Sequence, residues 1–193
     1  MTELNEIEAR VLGSLIEKAF STPDQYPLSY NALVNACNQK TSRDPVMNLE
    51  PEAVGTAVAS LVEKGLAAKL IGDRVPKVAH RAEGLGAGES PEVIGTLGLL
   101  LLRGAQTAAE IRVRTERIAQ FPNTEAAEAQ LQKLAAHPSG PFVARLSRGR
   151  YQHLFSGPAA EAASRASEAA DRLAQLEARV AALEAAVQDL QTR

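Results

Sequence analysis

The sequence predicts a mainly α fold with small β-hairpins (α+β), built from two tandem units and closed by a C-terminal helix. Three observations lead there. A pattern of three amphipathic helices and a hairpin occurs twice before residue 158. Glycines and prolines punctuate both copies at the ends of the periodic segments. Beyond Pro158 the chain is alanine-rich, lacks glycine and carries a heptad seam.

In the first unit, residues 1–81, the apolar residues Leu4, Ile7, Val11, Leu15 and Ile16 share one helix face. That helix ends before Pro23. Ser29 is the expected N-cap of a second helix that buries Leu33 and Val34. The polar stretch 38–51 contains two prolines, which forbid a continuous helix. Pro51 suits the first turn of a third helix, where its missing N–H costs nothing. Val54, Val58, Leu61 and Val62 form that helix's apolar face, and Gly65 ends it. Residues 66–71 and 74–79 flank Gly72 and Asp73 and read as a β-hairpin.

The second unit, residues 91–157, repeats the order. Pro91 opens a helix carrying Val93, Ile94, Leu97 and Leu99–Leu102, and Gly104 stops it. Thr107 with Glu110 forms a capping-box pattern before a helix with Ile111 and Ile118 on its apolar face. Thr124 is the expected cap of a third helix, which carries Ala127, Leu131 and Leu134 and ends at Pro138. Strands at 142–146 and 150–155 flank a turn at Ser147–Gly149. Three helices followed by a hairpin is the winged-helix pattern, so the chain reads as tandem winged-helix domains joined by a linker at 82–90. The rival is an irregular helical protein whose hairpins are loops. The linker glycines 84, 86 and 88 do not make the GxGxxG of a dinucleotide site.

Specific segments resemble a known family. Residues 26–40, Arg43 to Met47, 99–107, Glu110 to Arg112, Arg114, Thr115 and 151–154 are similar to the signature of the YceH family of bacterial proteins. The resemblance spans roughly residues 3–156 and implies a tandem winged-helix fold. It implies no activity and brings no catalytic residues, because the family is uncharacterised. Ala105 departs from the proline usual there.

The tail, residues 158–193, is expected to be an alanine-rich coiled-coil helix. Leu173, Leu176, Val180, Leu183, Val187 and Leu190 alternate in steps of three and four. Arg172 and Arg179 fall at g positions and Glu177 and Glu184 at e, which pairs opposite charges in a parallel homodimer. The same stripe could instead dock on the chain's own domains.

Composition excludes several functions. The formal charge of −2 rules out a uniformly basic nucleic-acid coat. Three Tyr, four Phe and no Trp are too few for a platform that stacks single-stranded bases. The lone Cys37 cannot form an internal disulfide, which fits a reducing, cytoplasmic location. No signal-peptide pattern opens the chain, and the apolar run at 97–102 is far below the ~20 residues that span a bilayer. His80, His137 and His153 lack metal-ligand spacing, and no nucleophile elbow occurs. The expectation is a non-enzymatic protein with no metal and no cofactor.

Charge is unevenly spread. Residues 92–157 carry eight basic and five acidic side chains, whereas each of the other segments is net acidic. Lys40, Arg43, Arg74, Lys77, Arg112, Arg114, Arg117, Arg145, Arg148 and Arg150 fall on wings and helix flanks, where phosphate contacts occur. The third helices of both units offer mainly Glu, Ala, Ser and Gln, which are poor base readers. Two readings follow: a protein associated with double-stranded DNA, or an adaptor whose winged-helix surfaces bind another protein.

Overall fold

The computed structural model describes residues 2–70, 75–157 and 180. The described residues combine six α-helices with two three-stranded antiparallel sheets. The first half runs α1 (Glu6–Ser21), β1 (Leu28–Ser29), α2 (Tyr30–Cys37), α3 (Pro51–Glu63), β2 (Ala67–Leu70) and β3 (Lys77–His80). The second repeats this order as α4 (Pro91–Arg103), β4 (Gln106–Thr107), α5 (Ala108–Arg114), α6 (Thr124–Ala135), β5 (Val143–Arg145) and β6 (Arg150–His153).

Local chemistry explains the helix ends. Asn5 and Glu8 exchange hydrogen bonds of 2.9 and 2.8 Å in a capping box that starts α1. Ser29 caps α2, and Thr107 with Glu110 caps α5, both as the sequence predicts. The cap of α6 is Asn123 rather than Thr124: its side chain accepts from the Ala126 N–H at 2.8 Å. Helix α6 also ends at Ala135, before the expected Pro138. Each sheet gains a two-residue strand that sequence periodicity does not signal. β1 pairs with β3 through Leu28 and Val78, and β4 pairs with β6 through Gln106 and Tyr151. A strand so short has no alternation to read, and its partner alone defines it.

The two halves share one core. Helix α1 is buried on most sides from Glu8 to Ile16, because α2 and α3 cover one flank and α4 the other. Two glycines permit the α1–α4 crossing. A Cβ on Gly98 would lie 2.6 Å from Ile16 Cγ2, and one on Gly13 would lie 2.8 Å from Leu102 Cγ. Each helix therefore seats a branched side chain of the other in a glycine notch. The segment 82–90, expected as a linker, joins this core: Ala82, Leu85 and Ala87 are buried around a short 3₁₀ turn. Contacts also close the ends, with the Leu4 N–H donating to the Phe155 carbonyl at 2.7 Å.

Residues through Gly157 form one compact unit. Of the expected heptad residues, Val180 is helical and exposed. Leu173, Leu176, Leu183, Val187 and Leu190 lie outside the described residues, as does Arg74. Among the described residues, no helix is long and apolar enough to cross a membrane.

Candidate nucleic-acid interface

The second hairpin is built to present cations. β5 and β6 pair from Val143 with His153 to Arg145 with Tyr151. The tip needs left-handed backbone, and Arg148 (φ 56°) and Gly149 (φ 69°) supply it. Arg148 is thereby exposed at the turn. Arg145 is also exposed, with its guanidinium carbon 6.0 Å from the centroid of the Tyr151 ring. The buried Tyr151 hydroxyl donates to Glu128 Oε1 at 2.6 Å, which ties the hairpin to α6. Burial, with the Glu128 carboxylate, pushes the Tyr151 phenol up to about 12, so it stays a neutral donor. Arg150 is half-buried at the turn end of β6, opposite Thr107.

That register brings the turn end of the hairpin to the start of α5. There Glu110 accepts from the Thr107 N–H at 2.9 Å and pairs with Arg114 at 3.1 Å. The Thr107 N–H is the main reason its carboxyl lies below the usual range. Arg112 is exposed on α5. Arg114 also donates to the Gln106 side chain. With Arg117 it lines a cleft shared with Arg103, a residue the sequence pattern did not single out.

In the first half, Lys77 is exposed on β3 and Lys40 beyond α2. Arg43 requires a correction, because its side chain is fully buried. Its guanidinium donates to the carbonyls of Ala36 (2.9 and 3.1 Å) and Ser42 (2.9 Å) and pairs with Glu17. It braces the loop after α2 and has no surface left to offer phosphate. Arg10 works similarly from α1, donating to the carbonyls of Cys37 and Pro45. Such buried cations persist because backbone oxygens and a carboxylate replace their water.

The histidines and the cysteine have structural places. The buried Cys37 thiol is pushed up by burial and packs against the core. His80 Nδ1 accepts from the Ala82 N–H at 3.2 Å. His153 is buried beside Phe155. Among the described residues, no group of three His, Cys, Asp or Glu side chains could hold a metal ion. The exposed positions of α3 include Glu52, Thr56 and Glu63, and those of α6 include Glu125, Ala129, Gln132 and Lys133.

Residues 4–152 match the family described as protein of unknown function, DUF480. A UPF0502 protein of Saccharophagus degradans is 44% identical over 168 residues, 82% of this chain and 75% of the relative. The UPF0502 protein YceH of Escherichia fergusonii is 43% identical over 175 residues, covering 85% of this chain and 81% of the relative. A UPF0502 protein of Vibrio parahaemolyticus reaches 46% with the same coverage. Given this match across both halves, the chain belongs to the DUF480 family, the bacterial UPF0502 proteins that include YceH.

Proposed function

We propose that this chain is a non-catalytic, cytoplasmic tandem winged-helix protein that associates with duplex DNA through its backbone phosphates. The winged-helix reading is supported by the order of elements in each half and by the hairpin strand lying central in each sheet. The observation that carries the DNA reading is the set of exposed cations on the hairpins and the α5 flank: Lys77, Arg112, Arg145 and Arg148. Phosphate contacts of this kind position a protein without reading sequence. The acidic and small residues exposed on α3 and α6 give little base readout, so discrimination between sequences is expected to be weak. The heptad seam from Leu173 to Leu190 supports two copies acting together.

A second reading, the protein-binding adaptor, is favoured by Val113. It is 64% exposed on α5, beside a depression lined by Arg112, Glu116 and Phe121.

One titration separates the two. Each neutralised phosphate contributes about −0.9 to the slope of log affinity against log salt. Replacing Lys77 by Gln and Arg148 by Asn, which tolerates left-handed backbone, should flatten that slope by about two contacts' worth and weaken binding. Salt-independent affinity, or a double variant that binds as wild type does, would overturn the DNA reading. Nuclease-resistant retention of a specific protein would then favour the adaptor.

A further inference from the structure

The cleft between α1, the loop after α2 and the α4–α5 corner has a volume of about 240 Å³. Its apolar floor is Leu99, Leu102 and Ile118, and its rim carries Arg103, Arg114, Arg117, Glu17, Ser21 and Ser42. The charges on this rim do not balance. Glu17 is engaged by Arg43 and lies 3.6 Å from Lys18. Arg114 has its partners in Glu110 and Gln106. The side chains of Arg103 and Arg117 make no hydrogen bond or ion pair among the described residues. The Ser21 hydroxyl is buried and equally unpartnered.

Arg103 is half-buried. Burial first, then the neighbouring Arg114 charge, disfavours its charged form, and Glu17 and Glu110 oppose this only in part. Guanidinium groups that share the rim of a cleft are stabilised by an oxyanion that accepts from several at once. A floor of leucine and isoleucine adds affinity for a carbon body attached to that oxyanion.

We propose that this cleft binds a small organic phosphate, with the phosphate on Arg103, Arg114, Arg117 and the Ser21 hydroxyl and its apolar body on Leu99, Leu102 and Ile118. The site is independent of the DNA reading. It is a recess sized for one small molecule, and it depends on Arg103, which lies on neither hairpin.

The test uses phenyl phosphate and inorganic phosphate, added to the full-length ¹⁵N-labelled protein at constant ionic strength. Phenyl phosphate should give saturable shifts centred on the amides of Gly98, Leu102, Arg103 and Ile118, and it should bind more tightly than inorganic phosphate. Arg103→Gln and Arg117→Gln should each weaken binding about tenfold. The variant with Lys77→Gln and Arg148→Asn should bind phenyl phosphate unchanged, which separates this site from DNA contact. Without ligand, Arg103→Gln should keep the wild-type fold, with amide shifts unchanged outside the cleft. Should it fail to fold, Arg117→Gln at its exposed position carries the same comparison. Non-saturable shifts, shifts spread over the hairpins, or affinity indifferent to both substitutions would overturn the proposal. Equal affinity for the two phosphates would overturn the role of the apolar floor.

Discussion

Acidification from about pH 7 to about pH 5 should weaken the fold through His153 more than through any carboxylate. The residue is 8% exposed on β6, stacks near Phe155 with ring centroids 6.0 Å apart, and has a buried Nδ1 without a hydrogen-bond partner among the described residues. Burial pushes its imidazole from 6.5 down to about 4. The unfolded chain therefore takes up a proton near 6.5 while the folded chain stays neutral until about 4. Between those values the unfolded state binds more protons, so stability is full above the unfolded value and falls as pH falls. At 1.36 kcal/mol per unit the complete loss is roughly 3 kcal/mol, of which about 2 kcal/mol is lost by about pH 5. His80, lowered by burial with Glu83 opposing, adds in the same direction.

Two carboxylates act in a lower window. Burial pushes the Glu8 carboxyl up, but hydrogen bonds from Lys64, Ser60 and Asn5 outweigh it, and the Glu110 carboxyl is likewise low. Their contributions are lost only below the ordinary carboxylate range. The assay is urea unfolding of wild type and His153→Gln at both pH values. The variant starts less stable because it packs less well, so the quantity of interest is the difference between the two acid losses. Wild type should lose about 2 kcal/mol more than the variant. Equal losses would mean that the imidazole titrates normally in the folded protein, and the burial argument would fail.

Two further predictions concern the shared core. Gly98→Ala forces a Cβ to within 2.6 Å of Ile16 Cγ2, and overpacking of that kind costs about 1–3 kcal/mol, offset in part by alanine's better helix propensity. Unfolding free energies in a double-mutant cycle with Ile16→Ala should show the substitution to be cheaper in the alanine background; strict additivity would refute the notch. Leu61→Ala removes a side chain with no exposed area and should cost about 2–5 kcal/mol. Because the halves share one core, both should still unfold in a single transition on urea titration, and resolved transitions for α1–β3 and α4–β6 would refute that coupling.

The sequence by itself determined the order of helices and hairpins in both halves, because that order rests on local energies. Apolar spacing places α1 to α6, although Ile118, read as part of the α5 face, falls beyond that helix's end at Arg114; Pro51 and Pro91 start helices where no N–H is needed, and the Thr107–Glu110 box and the Gly104 stop are read within one turn. The short segments that resemble YceH were equally local, and they identified the family. Tertiary structure decided what depends on partners far apart in the chain. Whether Arg43 faces solvent or the interior turns on the Ala36 carbonyl and on Glu17, which α1 carries to it. β1 and β4 exist only because β3 and β6 present free backbone groups alongside them. The crossing that seats Ile16 on Gly98 made one core of two repeats and turned an expected linker into packing. Arg103 ends α4, whereas Arg114 ends α5 and Arg117 lies beyond it. The chain turn between them, with α1 packed alongside, makes these charges neighbours over an apolar floor, and no periodicity in the sequence encodes that meeting.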